Sequence, residues 1–321
     1  MKTAWVFPGQ GSQVVGMGRD LYEASAAARE VFEEADATLG MPLTRICFEG
    51  PEEVLTATEN AQPALLTMST ALLRALAERQ GAPLPPPAAV AGHSLGEYSA
   101  LVAGGALDFA TALRLVRRRG ELMAEAREGS MAAVIGMDGA ALDEVCREVN
   151  TALAAHAETV SAVVVANYNA PDQLVISGSS LAVEQASHLA RKRGAKRVLP
   201  LKVSAAFHSP LMVQAAEGMA RAIGAVTVRD LRVPLIANVT AEPLLTAGDV
   251  RREAVAQVIA PVRWIASVQR MVHGGITTFL EVGPGKVLSG LIRRITPQAK
   301  LVNVNDAEAV RGFTQELEVE V

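Results

Sequence analysis

A five-residue corner restricts this chain more than any other feature. Gly92-His93-Ser94-Leu95-Gly96 stands between a short apolar run, Ala88-Ala89-Val90-Ala91, and a helical pattern that opens at Glu97-Tyr98-Ser99-Ala100. Pro85-Pro86-Pro87 resets the backbone just before, so the apolar run reads as a buried strand. A strand that becomes a helix within one G-x-S-x-G segment turns sharply, and the corner projects its serine hydroxyl into a cleft. The free backbone N–H groups of the helix start then lie beside any oxyanion formed there. G-x-S-x-G also arises by chance in a Gly- and Ala-rich chain; the strand–turn–helix setting favours the catalytic reading of Ser94.

The surrounding pattern fits such a corner. Thr3–Phe7 reads as a first strand, stopped by Pro8-Gly9-Gln10-Gly11-Ser12, and helical patterns follow over Leu21–Leu39 and Gln62–Glu78. Strands alternating with helices imply an α/β fold with a mostly parallel sheet covered on both faces. From about Ser130 the rhythm changes. Met131–Met137, Val160–Asn167, Gln173–Gly178 and Lys196–Val203 read as strands, with helices over Gly139–Asn150 and Leu181–Arg193. That order is β-α-β-β-α-β, the split unit of ferredoxin-like domains. Residues 129–204 are therefore expected as a small ferredoxin-like domain inserted into a large α/β domain of 1–128 and 205–321. The larger domain resumes with strands near Leu235–Val239 and Thr277–Val282.

Composition removes several function classes. A chain of 321 residues, 50% hydrophobic and 20% charged, buries a substantial core and is not disordered. Lys and Arg number 30 against 34 Asp and Glu, a net charge of −4, so no basic excess points to nucleic acid. Cys47 and Cys146 are too few for a disulfide framework, and neither has a cysteine or histidine at metal-ligand spacing. The apolar start is broken at Pro8-Gly9, unlike a secretory signal. The longest uncharged stretch, Gln80 to Gly96, holds four prolines and no membrane span is expected. The chain reads as cytoplasmic and soluble.

A nucleophilic serine needs a base. Of the five histidines, His156 and His188 read as surface residues of the inserted domain, and His273 as a loop residue before Gly274-Gly275. His93 should point away from Ser94 across the turn. His208, where the chain returns from the inserted domain, is the best-placed base. Arg119 stands out on the helix from about Ala110 to Ala126. Its neighbours at i±3 and i±4 are Leu115, Val116, Leu122 and Met123, whereas Arg117 and Arg118 face Arg114 and Glu121. Arg119 thus points into the apolar face, where a guanidinium needs an anionic partner: an acidic side chain of the protein or an anionic substrate.

Four segments carry a family resemblance: Phe7-Pro8-Gly9-Gln10-Gly11-Ser12-Gln13, Gly92 to Tyr98, Phe207-His208-Ser209, and Glu281-Val282-Gly283-Pro284-Gly285-Lys286. With them the chain resembles malonyl-CoA:acyl carrier protein transacylases, including acyltransferase domains of fatty acid and polyketide synthases. The resemblance implies a large α/β-hydrolase-like domain and a serine, here Ser94, that takes an acyl group from coenzyme A and passes it to a carrier protein's pantetheine thiol. It implies His208 as base, oriented by the main-chain carbonyl of Gln257, and an oxyanion hole from the N–H groups of Gln10 and Leu95. It implies that Arg119 binds the malonyl carboxylate, with Met123, Asn167 and Asn169 lining the pocket. Phe207 departs from the serine of many housekeeping members and matches polyketide acyltransferases that prefer malonyl to methylmalonyl. The implied partners are malonyl-CoA and acyl carrier protein, with no nucleic acid, membrane or metal, and no cofactor beyond the thioester substrates.

The runner-up is a discrete acyltransferase loading polyketide synthase carriers. A serine esterase or thioesterase shares G-x-S-x-G, but no acidic residue stands out as a triad member, and a buried arginine would not serve a neutral acyl chain. A non-catalytic scaffold would not need Ser94, His208 and Arg119 together.

Overall fold

The computed structural model describes residues 2–126, 129–154, 162–201, 203 and 205–313. The N-terminal part runs from β1 (Lys2–Phe7) through α1 (Arg19–Ala24), α2 (Ala26–Leu39), α3 (Leu43–Glu49), α4 (Glu52–Thr56) and α5 (Thr58–Gln80). The single helix expected over Leu21–Leu39 is two. Ser25 takes extended backbone between them, and its hydroxyl accepts the Ala28 N–H at 3.0 Å to cap α2. β2 (Ala89–Gly92) follows, then α6 (Gly96–Ala103) and α7 (Phe109–Glu125). Asp108 starts α7 by accepting the Thr111 N–H at 2.8 Å.

The middle of the chain comprises β3 (Ser130–Ile135), α8 (Gly139–Ala154), β4 (Val163–Ala170), β5 (Gln173–Gly178), α9 (Ser180–Lys192) and β6 (Arg197–Pro200). These four strands form one antiparallel sheet in the order β4-β5-β3-β6. α8 and α9 cover it and share its separate core, which includes Val134, Leu142, Val145, Ile176 and Ala186. The last strand ends at Pro200, earlier than the expected Val203. Residues 160 and 161 of the expected second strand, and His156, lie outside the described residues; His188 is exposed on α9.

The remainder holds α10 (Val213–Gly224), β7 (Leu235–Ile236), β8 (Pro243–Leu244), α11 (Ala247–Ala256), α12 (Trp264–His273), β9 (Ile276–Val282), α13 (Val287–Ile295), β10 (Lys300–Val304) and α14 (Ala307–Gly312). The larger sheet has six strands in the order β10-β9-β1-β2-β7-β8. All its neighbours are parallel except β7 and β8. β2 is buried along its whole length, as a central strand covered on both faces must be. The strand expected over Leu235–Val239 stops after two residues. The N–H groups of Asn238 and Val239 turn instead to the carboxyl oxygens of Glu97 and Glu253, each at 2.9 Å. His273 ends α12 and is not in a loop.

Glu281 explains the Glu-Val-Gly-Pro-Gly-Lys segment: its buried carboxyl accepts the Leu288 and Ser289 N–H groups at 2.9 and 2.8 Å and caps α13. β4 is tied by its backbone to the loop just before α12. Tyr168 N–H donates to the Val262 carbonyl and Val262 N–H to the Ala166 carbonyl, both at 2.9 Å. Among the described residues no helix is long and apolar enough to cross a membrane, and no cluster of three or more His, Cys, Asp or Glu side chains could hold a metal ion. Cys47 and Cys146 are buried and unpaired with each other.

Candidate active site

β1 and β2 are adjacent and parallel, with Phe7 opposite Gly92, so the loops that leave them lie side by side. Their contact is backbone to backbone. A Cβ on Gly96 would sit 2.1 Å from the Phe7 carbonyl oxygen, and one on Gly9 2.4 Å from the His93 carbonyl oxygen. Only glycine permits that approach. Gly9 and Gly96 therefore serve one junction between the loops, and Gln10 and Leu95 both line the cleft beside it. Among the described residues neither N–H donates to a protein acceptor.

Ser94 sits at the corner with φ 51°, a left-handed conformation that costs a non-glycine residue about 1–3 kcal/mol. Side chains from elsewhere in the chain hold it there. Asn238 Oδ1 accepts the Ser94 N–H at 2.7 Å, and Gln257 Nε2 donates to the Ser94 carbonyl at 3.0 Å. His208 is strained in the same way, at φ 57°. Ser209 anchors that turn by donating to the Ala206 carbonyl at 2.7 Å and capping the short helical turn Pro210–Met212.

Ser94 Oγ lies 2.8 Å from His208 Nε2. On the opposite side of the ring, Nδ1 donates to the main-chain carbonyls of Gln257 at 2.8 Å and Ala260 at 3.2 Å. Those acceptors place the ring proton on Nδ1 and leave the Nε2 lone pair facing the serine. Burial, and then the Arg119 guanidinium, push the His208 pKa down to about 3. The imidazole is neutral at any ordinary pH, as a base must be before it takes a proton. His93 points away as expected: its Nε2 meets Asn169 Oδ1 at 2.7 Å and its ring packs on Trp264.

Arg119 is 1% exposed, whereas Arg118 pairs with Glu121 and Glu125 near the surface. Arg117 is less solvated than its spacing implied, since its guanidinium also reaches Asn60 Oδ1 at 2.8 Å. The Arg119 guanidinium donates to three neutral oxygens: Gln62 Oε1 at 2.9 Å, Gln257 Oε1 at 2.8 Å and Ser94 Oγ at 3.1 Å. Among the described residues no carboxylate forms a salt bridge with it. The acidic protein partner weighed from sequence is therefore absent from its hydrogen bonds. Gly120 lets α7 press onto α5, because a Cβ there would lie 2.6 Å from the Glu59 Cα.

These groups line one cleft of about 850 Å³. Met123, Asn167, Asn169 and Phe207 line it too. Met123 Sδ is 3.5 Å from Gln62 Nε2, and Phe207, half-buried, packs against Met131, Ala166 and Val175 of the four-stranded sheet. All ten residues singled out from sequence thus meet at this cleft or, as with Gln257, directly behind it.

The sequence model for the acyl transferase domain matches residues 4–312. This chain belongs to the acyl transferase family. As an acyl transferase it is 47% identical to the malonyl CoA-acyl carrier protein transacylase of Bacillus subtilis, over 99% of this chain and 98% of that one. It is 40% identical to the protein of the same name from Staphylococcus aureus, over 98% and 99% of the two chains. The acyl-carrier-protein S-malonyltransferase of Bartonella henselae superposes with a TM-score of 0.91 at 44% identity, covering 97% of this chain and 98% of that one. A malonyl-transacylase solved in complex with its holo type II PKS acyl-carrier protein superposes at 0.90 with 39% identity, covering 97% and 98%.

Sequence reasoning missed four buried polar residues of this acyl transferase's site: Gln62, Glu97, Asn238 and Glu253. It also missed the Gln257 side chain, having used only that residue's carbonyl. Glu97 carried a signal, as the single charged residue of the otherwise uncharged helix Gly96–Ala103. Gln62 carried a weaker one, set among apolar residues of α5. Asn238 carried none.

Proposed function

We propose that this acyltransferase moves a malonyl group from malonyl-CoA to the phosphopantetheine thiol of acyl carrier protein through a malonyl-serine intermediate, supplying extender units for fatty acid synthesis. The observation that carries the reading is Arg119: a buried guanidinium beside Ser94, bonded among the described residues only to neutral oxygens, selects an acyl group with its own carboxylate.

In the first half-reaction Ser94 Oγ attacks the thioester carbonyl while His208 Nε2 takes its proton. The Gln10 and Leu95 N–H groups receive the oxyanion, a contribution of about 3–4 kcal/mol per donor in well-studied hydrolases. The intermediate collapses, the C–S bond breaks, and the coenzyme A sulfur leaves with the His208 proton. In the second half the carrier's thiol gives its proton to His208 and attacks the malonyl ester, and Ser94 departs with that proton. Gln257 and Ala260 carbonyls keep the ring aimed throughout. The reaction needs no cofactor, since coenzyme A and phosphopantetheine are substrates.

The strand order β4-β5-β3-β6, with α8 and α9 on the sheet, supports reading 129–204 as a ferredoxin-like insert. The rest, 1–128 and 205–321, is then a hydrolase-like domain. Cytoplasmic residence fits these substrates.

The test is incubation with malonyl-CoA in the presence and absence of holo acyl carrier protein. Malonyl-carrier forms, and free malonate stays at background without the carrier. Rapid malonate release without a carrier makes the protein a thioesterase instead.

Phe207 favours a second reading, with a polyketide synthase carrier as acceptor. Either way its ring, packed against Met131 and Val175, occupies space that a 2-methyl group would need. An extra methyl is rejected by about 1–3 kcal/mol in such pockets. Malonyl-CoA is expected to outcompete methylmalonyl-CoA, scored by the mass of the acylated carrier, and Phe207→Ser to narrow the difference. Equal loading by the unaltered protein would reduce Phe207 to a packing residue.

A further inference from the structure

Behind Arg119 lies a chain of buried polar groups that the transfer steps do not use. A guanidinium has only donors, so the Gln257 oxygen must face Arg119 and the Gln257 Nε2 must face the other way. There Nε2 donates to Glu97 Oε2 as well as to the Ser94 carbonyl. The other Glu97 oxygen accepts the Asn238 N–H at 2.9 Å, and Asn238 Nδ2 donates to the Gly92 carbonyl at 2.7 Å. Both Glu97 oxygens are thus acceptors for fixed donors, one from the backbone and one from an amide. Glu97 is 2% exposed and Gln257 fully buried, so no other arrangement is open to them by turning toward bulk solvent. Burial, and then the nearby Glu253 carboxyl, hold the Glu97 pKa well above the usual carboxylate range, so a proton is shared between these two side chains while both Glu97 oxygens still accept their fixed donors.

We propose that Glu97 is a positioning residue for acyl selection: through the Gln257 side-chain amide it holds the Arg119 guanidinium at Ser94, where the carboxylate of the acyl group is received. The inference rests on the malonyl-transfer reading above. An amide at position 97 has nearly the same shape but only one acceptor. Its NH₂ then meets either the Asn238 N–H or the Gln257 NH₂, donor against donor. Turning the Gln257 amide over relieves that clash and creates another, because its NH₂ then faces the guanidinium. Where the new NH₂ faces Gln257, Arg119 loses an acceptor; where it faces the Asn238 N–H, the clash falls on the segment whose Asn238 side chain holds the Ser94 N–H.

The test measures kcat/KM for malonyl-CoA and acetyl-CoA in Glu97→Gln, made in the parent enzyme and in Arg119→Ala. Glu97→Gln is expected to lower the malonyl/acetyl ratio by about tenfold or more in the parent and by less than about twofold in Arg119→Ala, since residues acting through one another are not additive. A residue that merely supports the fold lowers both substrates together and leaves the ratio alone. An unchanged ratio in the parent, or an equal loss in both backgrounds, overturns the proposal. Should Glu97→Gln fail to fold, Glu97→Asp carries the same test, because it keeps the carboxyl and draws it back from the Gln257 amide without touching Gln257, Arg119 or His208. A parent enzyme with no preference for malonyl-CoA overturns the malonyl-transfer reading instead, which separates the two failures.

Discussion

Ser94→Ala is expected to fold like the parent and to take up no malonyl group from malonyl-CoA, as read by intact-protein mass spectrometry. The corner survives the change because its main chain is held by Asn238 and Gln257, not by the Ser94 hydroxyl. Among the described residues the hydroxyl itself bonds only His208 and Arg119. Removing it deletes the atom that carries the acyl group, so uptake disappears instead of slowing. His208→Ala keeps the nucleophile and loses the base, and transfer is expected to slow by about 10²–10⁴-fold. A malonyl adduct on Ser94→Ala would take Ser94 out of the mechanism.

Arg119→Ala is expected to lower the malonyl/acetyl ratio of kcat/KM by about 10–100-fold or more, the worth of a charged hydrogen-bonded contact of about 1.5–3 kcal/mol. The same change has a signature in pH. Arg119 is the second cause, after burial, of the lowered His208 pKa. Without the guanidinium the pKa rises, so His208 becomes protonated and useless as a base at a higher pH than in the parent. The acid limb of acetyl transfer is therefore expected to move upward in pH. An unchanged acyl ratio, with an acid limb that stays in place, would make Arg119 a structural residue.

Legibility differed from one part of the site to the next. Ser94, with its strand–turn–helix setting, could be read from consecutive residues because a corner is a local event, and the glycines that permit it stand next to it. The burial of Arg119 was equally local, since helical periodicity alone sets which of three consecutive arginines turns inward. Its bonding was not. Gln62 and Gln257 stand 57 and 138 residues away, and nothing in the sequence shows that three neutral oxygens would take the place of an acid. Secondary structure failed for the same reason wherever a distant side chain intervened. The strand at Leu235 is cut short because its continuing N–H groups find Glu97 and Glu253, while the break at Ser25 arises from a cap that apolar spacing does not register.

The sequence by itself determined the elements that depend on near neighbours: the corner at Ser94, the inward face of α7, the glycine loops after β1 and β2, and the β-α-β-β-α-β order of the middle segment. Tertiary structure alone decided that the two glycine loops form a single junction, since that requires β1 and β2 to be adjacent in the sheet. It also brought to His208 the Gln257 carbonyl that only the family resemblance had implied, and decided that Glu97 reaches Arg119 through Gln257. Hydrophobic periodicity records which side of an element faces the core, but not which buried donor meets which buried acceptor. Those pairings arise only when distant segments pack and each polar group must find a partner away from water.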